Sequence, residues 1–298
     1  MKTLVVQSFR RDDVPEAIER CMASVRGWAA AQGYDYQFRG DELFALCGPD
    51  YLARAGDNKR TITNLARLEW IRASFADGYE RAIWLDADIF VFDPARFSLD
   101  LREGYAFGKE TYVTWGGGAM VAHGTHNAAF VFAGPHPDLD RMIELIRYIA
   151  ASRSLKDNFQ VGVRLLTGLH AGFRFPLLTT VGMLGSDILR SLANGGSPLL
   201  RVLAREHGFP IYAANIGLSL HDGLDPGQVA RAMDVLEQTG GGIINRHLGP
   251  NPAAPLLVAD YGSMAKRSVQ PSLPRRVARA RLPLRLRDLV RPLFRRLP

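Results

Sequence analysis

The spacing of apolar residues predicts alternating strands and helices from the start of the chain. A short apolar run at residues 3–7 predicts a buried strand. Apolar residues at helical spacing from Pro15 to about Gln32 predict a helix, which Gly33 ends. The alternating segment Tyr34–Phe38 predicts a second strand. This order is typical of an α/β sheet that binds a ligand at the carboxyl ends of its strands.

The same pattern predicts further elements along the chain. They are helices over Arg60–Phe75, Pro137–Ala151 and Pro226–Gln238, and strands over Arg81–Leu85 and Ala128–Ala133. Segment 152–224 is less regular, and Trp115-Gly116-Gly117-Gly118 predicts a loop. The chain has 298 residues, of which 47% are hydrophobic. That is enough apolar material for one large α/β domain.

Positive charge is concentrated at one end of the chain. Segment 267–298 contains ten arginines and one acid, Asp288, and so carries +9. Because the whole chain carries +7, residues 1–266 are left at −2. The folded body is therefore not basic, and the charge gives no reason to expect nucleic-acid binding. We predict a domain over residues 1–266 and a basic tail over 267–298.

The tail also carries a regular apolar stripe. Its leucines recur at helical spacing, at Leu282, Leu286, Leu289, Leu293 and Leu297. This pattern predicts a basic amphipathic helix that Pro283 and Pro292 interrupt. We expect residues 275–298 to bind an anionic membrane surface, since each basic residue near such a surface contributes about 1 kcal/mol. The alternatives are a disordered charged tail, or a helix packed on the body or on a second subunit.

The N-terminal sequence and the cysteines indicate where in the cell the protein is expected. The first apolar run is cut short by Arg10 and Arg11, which is unlike a signal peptide, and no apolar run approaches the length of a membrane span. Cys21 and Cys47 show no metal-binding spacing, so reduced thiols are expected. Together these features predict a cytoplasmic protein, with the tail able to hold it on the inner face of the cell membrane.

The candidate chemistry lies in residues 81–94, ArgAlaIleTrpLeuAspAlaAspIlePheValPheAspPro. An apolar strand here ends in Asp86 and Asp88, whose side chains would point the same way on extended backbone. Two acids at the end of a buried strand cost free energy unless a cation or strong hydrogen bonds compensate. Oxygen ligands of this kind suit Mn²⁺ or Mg²⁺, which bridge substrate phosphates and stabilise a departing diphosphate.

This passage resembles the DXD-containing glycosyltransferases of the GT-A fold, especially glycosyltransferase family 32 and its bacterial capsule and lipopolysaccharide relatives. Three other passages are similar to the same family, and the likeness spans roughly residues 1–190. They are AsnLeuAlaArgLeu at 64–68, AsnAlaAlaPheValPheAlaGlyProHisPro at 127–137, and the strand ending in Gln7-Ser8-Phe9. The resemblance implies an α/β GT-A fold with a mixed, mostly parallel central sheet.

The resemblance also implies roles for individual residues. Asp86 and Asp88 would bind the metal ion, with Asp86 also contacting the donor. Arg67 would face the donor phosphates beside Asn64, and Asn127 would lie near the sugar. Gln7, Ser8 and Phe9 would hold the nucleoside. A late histidine would complete the metal site, and His247 is the first candidate, with His221 as its rival.

For several other residues the sequence allows two interpretations, one functional and one structural. Asp187 is a candidate catalytic carboxylate near the anomeric carbon or the acceptor hydroxyl, or an acid that complements the dipole of a helix it begins. Trp115 could stack on the acceptor or lie in a plain surface loop. His123 and His126 lie three residues apart, and solvated or hydrogen-bonded histidines are favoured over metal ligands.

The predicted function is transfer of a hexose from a UDP- or GDP-linked sugar to a glycan or glycolipid acceptor in cell-surface polysaccharide synthesis. The family implies retention of anomeric configuration. One alternative is a non-catalytic scaffold that binds a nucleotide sugar. A phosphatase of the haloacid dehalogenase type is less favoured, because its motif should close the first strand and here lies at 86–88.

Overall fold

The computed structural model describes residues 1–152, 161–217 and 224–249. Two sheets, with helices packed against them, make up this part of the chain. The strands are β1 Thr3–Ser8, β2 Asp35–Arg39, β3 Arg81–Leu85, β4 Ile89–Val91, β5 Gly104–Trp115, β6 Ala119–Ala133, β7 Leu177–Leu178, β8 Val181–Met183 and β9 Ala213–Asn215. The helices are α1 Glu16–Ala31, α2 Pro49–Ala55, α3 Lys59–Ala76, α4 Pro137–Ser152, α5 Val163–Phe173, α6 Ser186–Ala193, α7 Pro198–His207, α8 Pro226–Thr239 and α9 Gly242–Asn245.

The central sheet has six strands in the order β2-β1-β3-β6-β5-β7. Strand β1 is parallel to β2 and β3, and β5 is parallel to β7, whereas β6 is antiparallel to both β3 and β5. Three of the five neighbouring pairs are therefore parallel, which confirms the predicted α/β class with a mixed, mostly parallel sheet. A second sheet has three strands in the order β4-β9-β8.

Alternating side chains of the central sheet enter two cores. On one face, Leu4, Trp84 and Phe130 pack against helices α2 to α5. On the other face, Val5 and Ile83 pack against α1 and strand β4. This alternation follows from the period of two in a strand, because successive side chains point to opposite faces. A third core joins the three-stranded sheet to helices α6, α7 and α8.

Strands β5 and β6 form a long hairpin, of which the sequence pattern predicts only residues 128–133 of β6. Its tip is the glycine turn 116–118, and Trp115 beside it is 58% exposed. The pairing register shifts partway along, because Phe107 pairs with Phe130 while Gly108 pairs with His126. Residues 127–129 therefore bulge away from β5, and β6 pairs there with β3 instead. The bulge directs Asn127 out of the hairpin.

Several predictions can be compared directly with these elements. Strand β3 has the predicted bounds, and helices α1, α3, α4 and α8 lie within one or two residues of theirs. Cys21 and Cys47 are free and buried, as expected for reduced thiols. Among the described helices, none is long and apolar enough to cross a membrane. His221 and the tail over 267–298 lie outside the described residues, so their predicted roles stay predictions.

Candidate active site

The two aspartates lie on a turn between the two sheets. Asp86 follows β3, and its amide donates to the carbonyl of Ala128 at 2.7 Å. The amide of Ile89 donates back to the carbonyl of Asp86 at 3.0 Å, which closes a turn over residues 86–89. The prediction that Asp86 and Asp88 share an extended backbone is therefore wrong. The chain must turn here because β4 leaves the central sheet and pairs with β9.

The Asp86 carboxylate is held from two directions. Its Oδ1 atom accepts hydrogen bonds from the indole Nε1 of Trp84 at 2.6 Å and from Nη1 of Arg67 at 3.1 Å. Because Trp84 lies two residues earlier on β3, both side chains point to the face of the sheet that α3 covers. Asp86 thus has a fixed orientation and a countercharge before any ligand is considered.

Arg67 is the buried cation at the centre of the site. It is 6% exposed and lies on α3, with its guanidinium 5.1 Å from the ring centre of Trp84. Its Nη1 also donates to the carbonyl of Asn127 at 2.5 Å, and its Nε to the carbonyl of Thr63 at 3.2 Å. Burial lowers the pKa of the guanidinium, while the negative charges of Asp86 and Asp88 oppose that shift. Arginine nevertheless stays charged, so a positive charge lies beside both aspartates.

Asn64 lies one helical turn before Arg67 on α3, and it too faces inward. Its Oδ1 accepts a hydrogen bond from Nδ2 of Asn127 at 2.8 Å. A Cβ atom at Gly162, which precedes α5, would lie only 2.8 Å from the Asn64 amide nitrogen. The sequence-predicted residues Asn64, Arg67, Asp86 and Asn127 are therefore brought together, since two direct contacts join Asn127 to the helix.

Asp88 is held by the three-stranded sheet. Its Oδ1 accepts a hydrogen bond from Nδ2 of Asn215 on β9 at 2.6 Å, and its carbonyl accepts from the amide of Ile216 at 3.0 Å. Asn215 was not predicted as a site residue. In the sequence, Asn215 is marked only by its position directly after the apolar run Ile211–Ala214. Nothing in that run indicates that its partner is Asp88, which lies 127 residues earlier.

The predicted nucleoside residues lie at the carboxyl end of β1, beside the end of β3. Gln7 is buried: its Nε2 donates to the carbonyl of Asp86 at 3.0 Å, and its Oε1 accepts from the Tyr36 hydroxyl at 3.0 Å. Gln7 thereby supports the turn that carries the aspartates. Ser8 and Phe9 are half-buried at the same edge, where a ligand could contact them.

The donor set of the turn fits a hard divalent cation. Two carboxylates lie two residues apart, and the negative charge of each acts to raise the pKa of Arg67. Carboxylate oxygens are the ligands that Mg²⁺ and Mn²⁺ prefer. Within residues 1–152, 161–217 and 224–249, however, no three His, Cys, Asp or Glu side chains are grouped to hold a metal ion.

The predicted third ligand, His247, follows α9. Burial lowers its pKa, and the neighbouring charges that lower it further belong to Arg246, Arg201 and Arg205. The described residues therefore do not assemble Asp86, Asp88 and His247 into one cluster. Among the residues that the structure describes, this leaves Asp86 and Asp88 as the ones that could hold a cation.

Asp187 lies in the first turn of α6, as predicted, and contacts the end of the hairpin. Its Oδ2 accepts from the Thr114 hydroxyl at 2.7 Å and from the Trp115 amide at 2.8 Å. Its Oδ1 accepts from Arg190 at 2.9 Å. The hydrogen bonds from Thr114 and Trp115 lower the pKa of this carboxyl. These contacts fix the hairpin to α6, and a catalytic role for Asp187 stays a prediction.

His123 and His126 lie on β6 and not in a loop. His123 contacts Glu206 at 3.2 Å. His126 is buried, and its Nδ1 accepts from the amide of Ala128 at 3.2 Å. Burial, helped by the charge of Arg67, lowers the pKa of His126 to about 4, so this ring is neutral at neutral pH. His126 thus packs beneath the bulge that presents Asn127.

Solved structures similar to this chain include two glycosyltransferases of low sequence identity. No protein-family model matches the sequence, and no curated protein matches it. One similar structure is a glycosyltransferase involved in glycosylation of the major capsid of PBCV-1, with 14% identity and a TM-score of 0.42 over 78% of this chain and 98% of that one. Another is the PaToxG glycosyltransferase, with 11% identity and a TM-score of 0.36 over 80% and 86%. Both TM-scores are below 0.5.

Proposed function

We propose that this chain is a glycosyltransferase of the GT-A type that depends on Mn²⁺ or Mg²⁺. It transfers a hexose from a UDP- or GDP-linked sugar to a glycan or glycolipid acceptor. The observation that carries the proposal is the arrangement around Arg67, which joins Asp86 to Asn127 at the carboxyl end of β3. Ligands bind at this edge in open α/β sheets.

In the reaction, the bond between the anomeric carbon and the diphosphate oxygen breaks. A bond from that carbon to an acceptor hydroxyl oxygen forms, and the hydroxyl proton passes to the departing diphosphate or to water. Asp86 and Asp88 would hold the divalent ion, which supplies charge stabilisation to the departing diphosphate. Arg67 would bind the diphosphate, because within the described residues no hydrogen bond uses its Nη2 group, and guanidinium matches phosphate geometry.

The site also suggests what the neighbouring residues do. Asn127 is presented by the bulge in β6 and would contact the sugar, with Asn64 fixing its amide. Ser8 and Phe9 would contact the nucleoside. Retention of configuration, a role in cell-surface polysaccharide synthesis, and membrane binding through residues 275–298 belong to the same proposal.

A thermal-shift screen of UDP- and GDP-linked sugars, with and without Mn²⁺, tests the proposal. A donor that binds the folded protein raises its melting temperature, and we expect this shift only when the metal is present. Asp88→Ala and Asp86→Ala should abolish both the shift and sugar transfer. Asp234→Ala is the matched control, because Asp234 is a half-exposed carboxylate that pairs with Arg20 away from the aspartate turn. Transfer that proceeds fully in EDTA would overturn the metal-dependent mechanism.

A further inference from the structure

The backbone around Asp88 is fixed by the three-stranded sheet. Strand β4 begins directly after Asp88 and pairs antiparallel with β9, in a register that places Ile89 opposite Asn215. On its other side β9 pairs with β8, and the carbonyl of Asn215 accepts from the amide of Leu184 at 2.9 Å. Asn215 is therefore on the central strand of this sheet, and its backbone cannot shift independently of both neighbours.

The side-chain amide of Asn215 is also fixed at both ends. Its Nδ2 donates to Oδ1 of Asp88 at 2.6 Å, while its Oδ1 accepts from the amide of Gly217 at 2.7 Å. The residue is only 5% exposed. Because the Gly217 amide can only donate, the Asn215 oxygen must face it, and the Asn215 nitrogen must face Asp88. The two bonds thus determine which end of the amide meets the carboxylate.

The chemistry of this contact differs from that at Asp86. Arg67 supplies Asp86 with a positive charge, whereas the Asn215 amide is neutral. A neutral donor orients a carboxylate without adding a countercharge of its own. Partners of this kind, which hydrogen-bond a metal ligand without contacting the metal, typically raise metal affinity 10- to 100-fold.

We infer that Asn215 is a positioning residue that orients the Asp88 carboxylate for a divalent cation, an inference that rests on the proposed function. It acts through Asp88 and contacts neither the cation nor the donor. Loss of the amide should therefore weaken binding of the cation by about 10- to 100-fold. Saturating cation should restore transfer, because the reacting groups are unchanged.

The experiment measures Mn²⁺ binding to the full chain directly, by the electron paramagnetic resonance signal of free Mn²⁺, with UDP or GDP present. Asn215→Ala should raise the Mn²⁺ dissociation constant by about 10- to 100-fold. Asn215→Ser is a second variant in case the alanine protein does not fold, since serine is also too short to reach Asp88. Transfer assayed against Mn²⁺ concentration should show a raised metal requirement with an almost unchanged maximum rate.

Asn245→Ala is the matched control. Asn245 accepts from the amide of Ile211 and donates to its carbonyl, both at 2.9 Å, so its loss removes two partly buried hydrogen bonds near β9 without touching Asp88. The inference is overturned if Asn245→Ala weakens Mn²⁺ binding as much as Asn215→Ala, or if the Asn215 variants bind Mn²⁺ like the wild type. A wild-type protein that binds no Mn²⁺ would instead refute the metal-dependent function on which the inference rests.

Discussion

The guanidinium of Arg67 and the carboxylate of Asp86 form an ion pair of 3.1 Å at the point where three elements meet. The same Arg67 nitrogen donates to the carbonyl of Asn127, so one side chain on α3 ties the end of β3 to the bulge in β6. The Arg67 side chain is 7% exposed and that of Asp86 is 27% exposed. Any change at Arg67 therefore acts on the fold as well as on a ligand, and the two effects must be measured separately.

Arg67→Ala should abolish the melting-temperature shift that a nucleotide sugar causes, because the cation that we propose binds the phosphates is gone. It should also lower the free energy of unfolding by about 3 kcal/mol, since the partly buried Asp86 loses its partner. Compared with Arg67→Ala, Arg67→Lys should restore the stability to a greater extent than it restores donor binding. Lysine keeps the positive charge but lacks the planar guanidinium that matches phosphate. Donor titrations and denaturant unfolding measure the two effects.

Arg72→Ala provides the matched control on the same helix. Arg72 is about half-exposed and pairs with Glu69 and Asp140, away from the aspartate turn. It should leave donor binding unchanged. Normal donor binding by the Arg67→Ala protein would show that Arg67 has a packing role alone.

Asp187→Ala should release the end of the β5–β6 hairpin from α6. Three hydrogen bonds to the carboxylate are lost, so we expect a loss of about 1–3 kcal/mol in the free energy of unfolding. Thr114→Val removes one of these donors and keeps the carboxylate, which separates anchoring from catalysis. If Asp187 is catalytic, Asp187→Ala should lower kcat far more than Thr114→Val does. Equal effects on kcat would leave Asp187 with an anchoring role only.

Glu110→Gln should stabilise the protein at neutral pH. Glu110 is half-buried, and burial raises the pKa of its carboxyl group. A raised pKa means that the folded state binds the proton more tightly than the unfolded state, whose value is about 4.3. The protonated Glu110 therefore stabilises the fold fully below the unfolded-state pKa, and this contribution is lost as the pH rises through the folded-state pKa.

Denaturant unfolding at pH 4 and pH 7 checks this prediction. The advantage of Glu110→Gln over the wild type should be larger at pH 7, because glutamine has no proton to lose. Glu144→Gln, at an exposed position on α4, is the control and should show little difference at either pH. An advantage of the same size at both pH values would contradict the prediction.

The basic tail should carry any membrane affinity of the chain. Residues 267–298 carry +9 and the leucine stripe, while residues 1–266 carry −2. We expect the full chain to sediment with anionic vesicles at low salt and to be released at high salt, because salt screens the attraction. A protein ending at Lys266 should stay in solution and still transfer sugar to a small acceptor. Equal vesicle binding by the shortened protein would refute the role of the tail.

Local sequence patterns were sufficient for β1, β2 and β3 and for helices α1, α3, α4 and α8. The short strands β4, β7, β8 and β9 and helices α2, α5 and α7 were not predicted, because they are too short or too irregular in sequence to show a clear period. The rest of the β5–β6 hairpin was missed because its covered face includes polar residues such as Lys109, Thr111 and His126. Lys109 is buried by tertiary contacts, since it donates to the carbonyl of His207 and lies over Phe209. A pattern of apolar positions cannot show this kind of burial.

The same limit applies to the site. The grouping of Arg67, Asp86 and Asn127 followed from a resemblance to a family, and the structure brings these residues together. Asn215 could not be predicted, because only the pairing of β4 with β9 brings it to Asp88. The geometry of the aspartates was wrong for a related reason, since a local pattern does not reveal that the chain changes sheets after β3.

The two carboxylates of the turn over residues 86–89 are held by hydrogen bonds from different parts of the fold. Asp86 is tied to β3, α3 and β6, whereas Asp88 is tied to β9. A cation bound by both carboxylates would therefore act as a non-covalent cross-link between the two sheets. Its removal would lower the melting temperature, because an ion that binds only the folded protein stabilises it.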